Sequence, residues 1–213
     1  MTATAGTAAA APVLVSDVDA AVSATSGNAA ADSVSALGAD PVSDWNMAIS
    51  IDGINLFHIG DATATSGFGD LAIAFGDGSS ASATGGFMDF AVAGGSNSTA
   101  TATGSLEAAD VIGNSSKATS EGIGGVAFTY GANSTATTDN FMNFASVVGN
   151  NSDANTGGDC STAYVFGDGS TATAGLSASD HIDWAVALGN GFDVTAAGSW
   201  LADNIDGIQF FGL

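Results

Sequence analysis

The residues able to do chemistry in this chain are few in kind and laid out in rows. Thr and Ser recur two apart, at Thr63 and Thr65, Ser80 and Ser82, Thr99 and Thr101, Thr135 and Thr137, Thr171 and Thr173, with Thr119 and Thr195 as single members. Asp or Asn recurs at Asp61, Asp77, Asn114, Asn150, Asp168 and Asn190, and again at Asp70, Asp89, Asn143 and Asp183. Hard oxygen ligands stacked at regular intervals suit Ca²⁺, so Ca²⁺ is the one cofactor this pattern could take. The calcium-roll signature Gly-Gly-x-Gly-x-Asp is absent, and turns closed by side-chain ladders account for the same rows. Catalytic groups are sparse. His58 sits in an apolar run, and Asp180-His181-Ile182-Asp183 offers an acid/base pair without a Gly-x-Ser-x-Gly elbow beside it. A solenoid lyase acting on uronates needs several basic residues, and Lys117 is the only Lys or Arg in the chain. No catalytic residue is therefore assigned, and a non-enzymatic protein is expected. Cys160 is the single cysteine; it excludes an intramolecular disulfide and reads as a small buried hydrophobe.

The rows imply a scaffold that repeats. Apolar runs ending in Gly recur at Gly60, Gly76, Gly95, Gly113, Gly131, Gly149, Gly167, Gly189 and Gly212, with spacings of 16, 19, 18, 18, 18, 18, 22 and 23. Each is followed by a turn such as Gly-Asp-Gly-Ser or Gly-Asn-Asn-Ser and then by a Ser/Thr/Ala run. A period of this length is the mark of a solenoid. The predicted fold is all-β: a β-solenoid (β-helix or β-roll) of about eight to nine coils of about 18 residues. Residues 1–40 are expected to form an N-terminal extension and cap, residues 41–213 the solenoid, with Trp45–Ile59 as its first coil and a closing coil at 199–213.

Composition narrows the partners. With 22 acidic residues against one basic, the formal charge is −21 in 213 residues, which repels nucleic-acid phosphates and anionic headgroups. Nucleic-acid binding is not expected. No apolar run reaches the length of a transmembrane helix. Residues 1–12, rich in Ala and Thr, have the composition of a segment just behind a signal cleavage site, Met1 then being an added start. A secreted or cell-surface location follows as an expectation.

Alternation within the runs assigns faces. Ala alternates with Thr or Ser in the second run and with bulky residues in the first, the period of a strand. Placing Ala inward gives a thin interior of methyl groups and turns the bulky set outward. Ile73, Phe90, Val92, Phe128, Tyr130, Phe144, Tyr164 and Trp184 would then form a self-association face, since soluble monomers rarely expose so large an apolar patch. The opposite register, with these side chains as a thicker core, stays open. A corner column of Phe68, Phe87, Leu106, Ile123 and Phe141 reads as a stacked core ladder.

Two resemblances follow from these motifs. The Thr-Ala-Thr pairs at Thr63/Thr65, Thr99/Thr101, Thr135/Thr137 and Thr171/Thr173 resemble the ladders of β-solenoid ice-binding proteins, although Lys117, Asp153, Asn155 and Asp193 interrupt the row. Leu71-Ala72-Ile73-Ala74-Phe75-Gly76-Asp77-Gly78-Ser79-Ser80-Ala81 and Trp184-Ala185-Val186-Ala187-Leu188-Gly189-Asn190-Gly191 resemble the head repeats of YadA-like trimeric autotransporter adhesins over roughly residues 55–198. The unit here is longer than that family's, and that family's heptad stalk and C-terminal barrel are not expected among these residues. The resemblance implies an exposed, non-enzymatic surface protein that adheres to host or matrix molecules. The leading expectation is a structural or adhesive, self-associating homo-oligomer. Ice binding and a calcium-stabilised surface layer are the alternatives.

Overall fold

Strands in this chain are short because Gly closes every apolar run, and each closure stacks on the one before it. The computed structural model describes residues 46–177, 180–198, 202–205 and 208–211. The expected cap in residues 1–40 lies outside them. The described residues hold no helix and form two sheets.

The chain enters through an antiparallel hairpin, β1 (Met47–Ile51) and β2 (Ile54–Ile59), and then β3 (Thr63–Ser66). Seven complete coils follow, each with one strand in either sheet. The first sheet takes β4 (Leu71–Phe75), β6 (Phe90–Gly94), β8 (Ala108–Ile112), β10 (Val126–Tyr130), β12 (Phe144–Val148), β14 (Thr162–Phe166) and β16 (Trp184–Leu188). The second takes β5 (Ser80–Thr84), β7 (Thr99–Ser105), β9 (Lys117–Ile123), β11 (Thr135–Thr138), β13 (Asp153–Thr156), β15 (Thr171–Ala174) and β17 (Asp193–Ala196), with β3 at its edge. A hairpin of β18 (Ala202–Ile205) and β19 (Ile208–Phe211) finishes the first sheet, which thus has 11 strands, against 8 in the second. The solenoid is as the repeat predicts, but the outermost runs differ from the expected coils. β1 pairs antiparallel with both β2 and β4, and β19 pairs antiparallel with β18. A reversed hairpin closes each end of that sheet's parallel stack, where an open parallel edge would present unpaired backbone groups.

Alanine faces inward, which settles the register. Ala72, Ala91, Ala109, Ala127, Ala145, Ala163 and Ala185 pair in one straight row and are wholly buried. A second buried row widens the core in places, running Ala74, Ala93, Val111, Thr129, Val147, Val165 and Ala187. From the second sheet come Ala81, Ala100, Ala118, Ala136, Ala154 and Ala172. A buried methyl contributes only about 0.8 kcal/mol, so backbone ladders and ordered corners carry much of the fold.

The corner column is corrected by the structure. Phe68 is 80% exposed, and Phe87, Leu106, Ile123 and Phe141 are exposed as well. The inward position at this corner belongs instead to Asp70, Asp89, Glu107, Asn143 and Asp183, all buried. The residue before each of these turns the chain outward through a left-handed conformation, at Gly69, Met88, Leu106, Met142 and Ile182, as Cys160 does before the buried Ser161; the conformation is costly for side chains other than Gly. The spacing anomaly at Leu106 has the same origin. Ser105 pairs with Ile123, so Leu106 stands one place out of the column. Cys160 shares this corner and is exposed, not buried.

Candidate functional site

The outer face of the first sheet is a grid of three columns. The first runs Leu71, Phe90, Ala108, Val126, Phe144, Thr162, Trp184; the middle one Ile73, Val92, Asp110, Phe128, Ser146, Tyr164, Val186; the third Phe75, Gly94, Ile112, Tyr130, Val148, Phe166, Leu188. Every residue expected on a self-association face stands in it. Phe90, Phe144, Tyr130 and Trp184 are exposed, Trp184 to 50%, while Ile73, Val92, Phe128 and Tyr164 are half-buried between their column neighbours. β1 extends the grid with Met47, Ile49 and Ile51 opposite Phe75, Ile73 and Leu71.

Two polar residues in the middle column of this grid carry no motif in the sequence. Asp110 and Ser146 occupy the middle column on either side of Phe128. Asp110 Oδ1 is buried without a hydrogen-bond partner, and burial raises the Asp110 carboxyl above its ordinary value. The signal was the alternation itself, because Ala108-Ala109-Asp110-Val111-Ile112 places its one charge at an outward position.

The outer face of the second sheet carries the Thr rows. One column runs Thr63, Ser80, Thr99, Lys117, Thr135, Asp153, Thr171, Asp193, and the other Thr65, Ser82, Thr101, Thr119, Thr137, Asn155, Thr173, Thr195. The pairs stand side by side as the motif predicts. Lys117, Asp153, Asn155 and Asp193 share their columns, as the sequence also indicates.

Most of the acidic and amide rows accept backbone N–H groups, while Oδ2 of Asp70, Asp89 and Asp183 is buried without a hydrogen-bond partner. Oδ1 of Asn114, Asn150, Asp168 and Asn190 accepts the N–H of Ser96, Ala132, Asn150 and Asp168 respectively, at 2.7–2.9 Å. At the opposite corner Asp70 Oδ1 accepts from Asp89 N at 2.8 Å, Asp89 Oδ1 from Glu107 N at 2.9 Å and Asn143 Oδ1 from Ser161 N at 2.7 Å. Glu107 takes the Gly125 N–H at 3.1 Å on one oxygen and the Ser120 hydroxyl on the other. Burial pushes both the Asp89 and Glu107 carboxyls above their ordinary values. Among the described residues no group of three or more His, Cys, Asp or Glu side chains is placed to hold a metal ion.

The histidine motif does not converge. His181 Nδ1 lies 3.6 Å from Asp159 Oδ2, while Asp180 binds the backbone N–H groups of Leu176 and Ser177 and Asp183 is buried. His58 lies in β2 beside a shallow cleft lined by Asn55, Thr63 and Thr65, at the other end of the stack. Compared with known protein families, curated proteins and solved structures, the chain matches none. No helix among the described residues is long and apolar enough to cross a membrane.

Proposed function

We propose that this protein is a non-enzymatic structural β-solenoid that acts by self-association through the outer face of its first sheet. The observation that supports the reading is the exposure of Phe75, Phe90, Tyr130, Phe144, Phe166 and Trp184 along one sheet, a continuous apolar area of the kind that marks an interaction site. A secreted or cell-surface setting, with adhesion to host or matrix molecules, belongs to the same proposal. It draws on the likeness of Leu71–Ala81 to adhesin head repeats and on the Ala/Thr-rich residues 1–12. Light scattering coupled to size exclusion tests it. A defined oligomer that Phe128→Ser with Phe144→Ser dissociates, with the strand signal in circular dichroism kept, is the expected result. A monomeric parent protein overturns the proposal.

A second reading, ice binding through the Thr columns, draws on the side-by-side register of Thr101, Thr119 and Thr137 in successive coils. Lys117 and Asp153 in the neighbouring column weaken it, since charged groups bind water too strongly to leave an ordered layer intact. Thr101→Tyr with Thr137→Tyr is expected to abolish any effect on ice growth. A parent protein without such an effect ends this reading.

A further inference from the structure

The apolar grid carries information about how two copies would meet. We propose that the protein forms a twofold dimer, first sheet against first sheet, about an axis running along β10, which sets Asp110 of each copy opposite Ser146 of the other. The inference rests on the self-association reading and goes beyond it by fixing partner, symmetry and register.

Three observations carry it. First, β10 is the sixth of 11 strands in the sheet, so an axis along it centres one face on the other. Eleven strands at about 4.8 Å and five residues at about 3.3 Å make a face of roughly 850 Å² per copy, the area a stable interface needs. Second, an axis along β10 keeps each column facing itself and exchanges β8 with β12 and β6 with β14. Small residues then meet large ones: Ala108 meets Phe144, Thr162 meets Phe90, and Gly94 meets Phe166. Packing two sheets at about 30° shifts β8 and β12, one strand from the axis, by only about 2.5 Å, less than the distance between columns.

Third, the polar residues choose between the two possible twofolds. An axis perpendicular to the strands pairs each strand with itself, so Asp110 meets Asp110 and two carboxylates are buried together, which repel. The axis along β10 instead sets each Asp110 against the uncharged Ser146 position, which keeps the two carboxylates apart.

Size swaps read by light scattering test the register. Ala108 is half-exposed on β8, so Ala108→Phe should keep the fold, checked by circular dichroism. It should weaken dimerisation roughly 10- to 100-fold through overpacking. Adding Phe144→Ala should restore the dimer, whereas adding Ile112→Ala should not. The reciprocal set, Thr162→Phe rescued by Phe90→Ala, repeats the test if the first variant misfolds. A parent dimer rescued by Ile112→Ala, or rescued by neither change, overturns the register but leaves self-association standing, as does a parent trimer. A dimer unaffected by Ala108→Phe and Thr162→Phe also overturns it. A monomeric parent overturns both proposals.

Discussion

The two corners of each coil are built on opposite plans. From first sheet to second the chain turns through Gly-x-x-Ser, repeated at Gly76–Ser79, Gly95–Ser98, Gly113–Ser116, Gly131–Ser134, Gly149–Ser152 and Gly167–Ser170. From second sheet to first it passes residues as unlike as Phe87, Ser105, Ile123, Phe141, Asp159 and His181. The first corner is a packed column in which the Gly and the Ser each have a counterpart one coil away. The second fixes only its inward polar residue and leaves the rest to solvent. Length follows the same division. The four extra residues between Gly167 and Gly189 fall in the second corner, between β15 and β16. A closed corner fixes the repeat, and an open one absorbs its variation.

Glycine substitution tests this contrast with the largest expected effect. A Cβ on Gly131, at φ +151°, would lie 1.8 Å from Gly149 O, whereas on Gly124, at φ +75°, the nearest atom is Met142 Cγ at 3.6 Å. Backbone of the next coil cannot yield as a methionine side chain can. Gly131→Ala is expected to lose about 4 kcal/mol, and Gly124→Ala about 1 kcal/mol from its backbone conformation alone. Denaturant unfolding of both variants measures the difference, and equal losses would show that the corners are equally tight.

Serine is the next lever. Ser134 Oγ donates to Gly149 O at 2.8 Å and accepts the Ser152 N–H at 3.2 Å, a pattern repeated by Ser116, Ser152 and Ser170. Ser134→Ala leaves buried backbone groups unpaired and should cost about 2 kcal/mol. The midpoint of thermal or denaturant unfolding reads it.

These corners explain what the sequence made legible. The Gly period gave the solenoid and the Ala alternation its two alternating faces, because each follows from stacking identical backbone turns, while both sets being apolar left the inward one open until the structure placed Ala inside. The open corner was misread because apolar residues at 17- to 19-residue spacing look like a core column whichever way they point. Phe68 and Phe87 are turned to solvent by the left-handed backbone beside them, which no apolar period reports. The buried carboxylates escaped for the converse reason. Asp70 and Asp89 read as turn residues, and Glu107 stood outside every motif, until the hydrogen bonds placed them inside.

Those carboxylates give the open corner a pH dependence. Glu107 and Asp89 hold protons more tightly in the fold than in the unfolded chain, where their ordinary values are 4.5 and 3.8. The native state therefore binds more protons above those values, and stability falls as pH rises through the raised native values. The melting temperature is expected to decline on raising the pH from about 4. Glu107→Gln, which keeps an acceptor for the Gly125 N–H, should flatten that decline. A slope unchanged in Glu107→Gln would remove Glu107 from the effect.

Substituting the exposed ridge should matter least. Met142 points to solvent and is exposed to 58%, so Met142→Ser removes apolar surface the monomer never buried. Its effect on unfolding should stay within about 0.5 kcal/mol, an eighth of that at Gly131 in the opposite corner. The outcome also separates two origins of the ridge. If the loss is small and the oligomer mass is unchanged, the ridge is a by-product of a corner that fixes only its inward residue. If the mass falls while stability holds, the ridge adds to the contact made by the neighbouring face, and the open corner is kept apolar by association and not by folding.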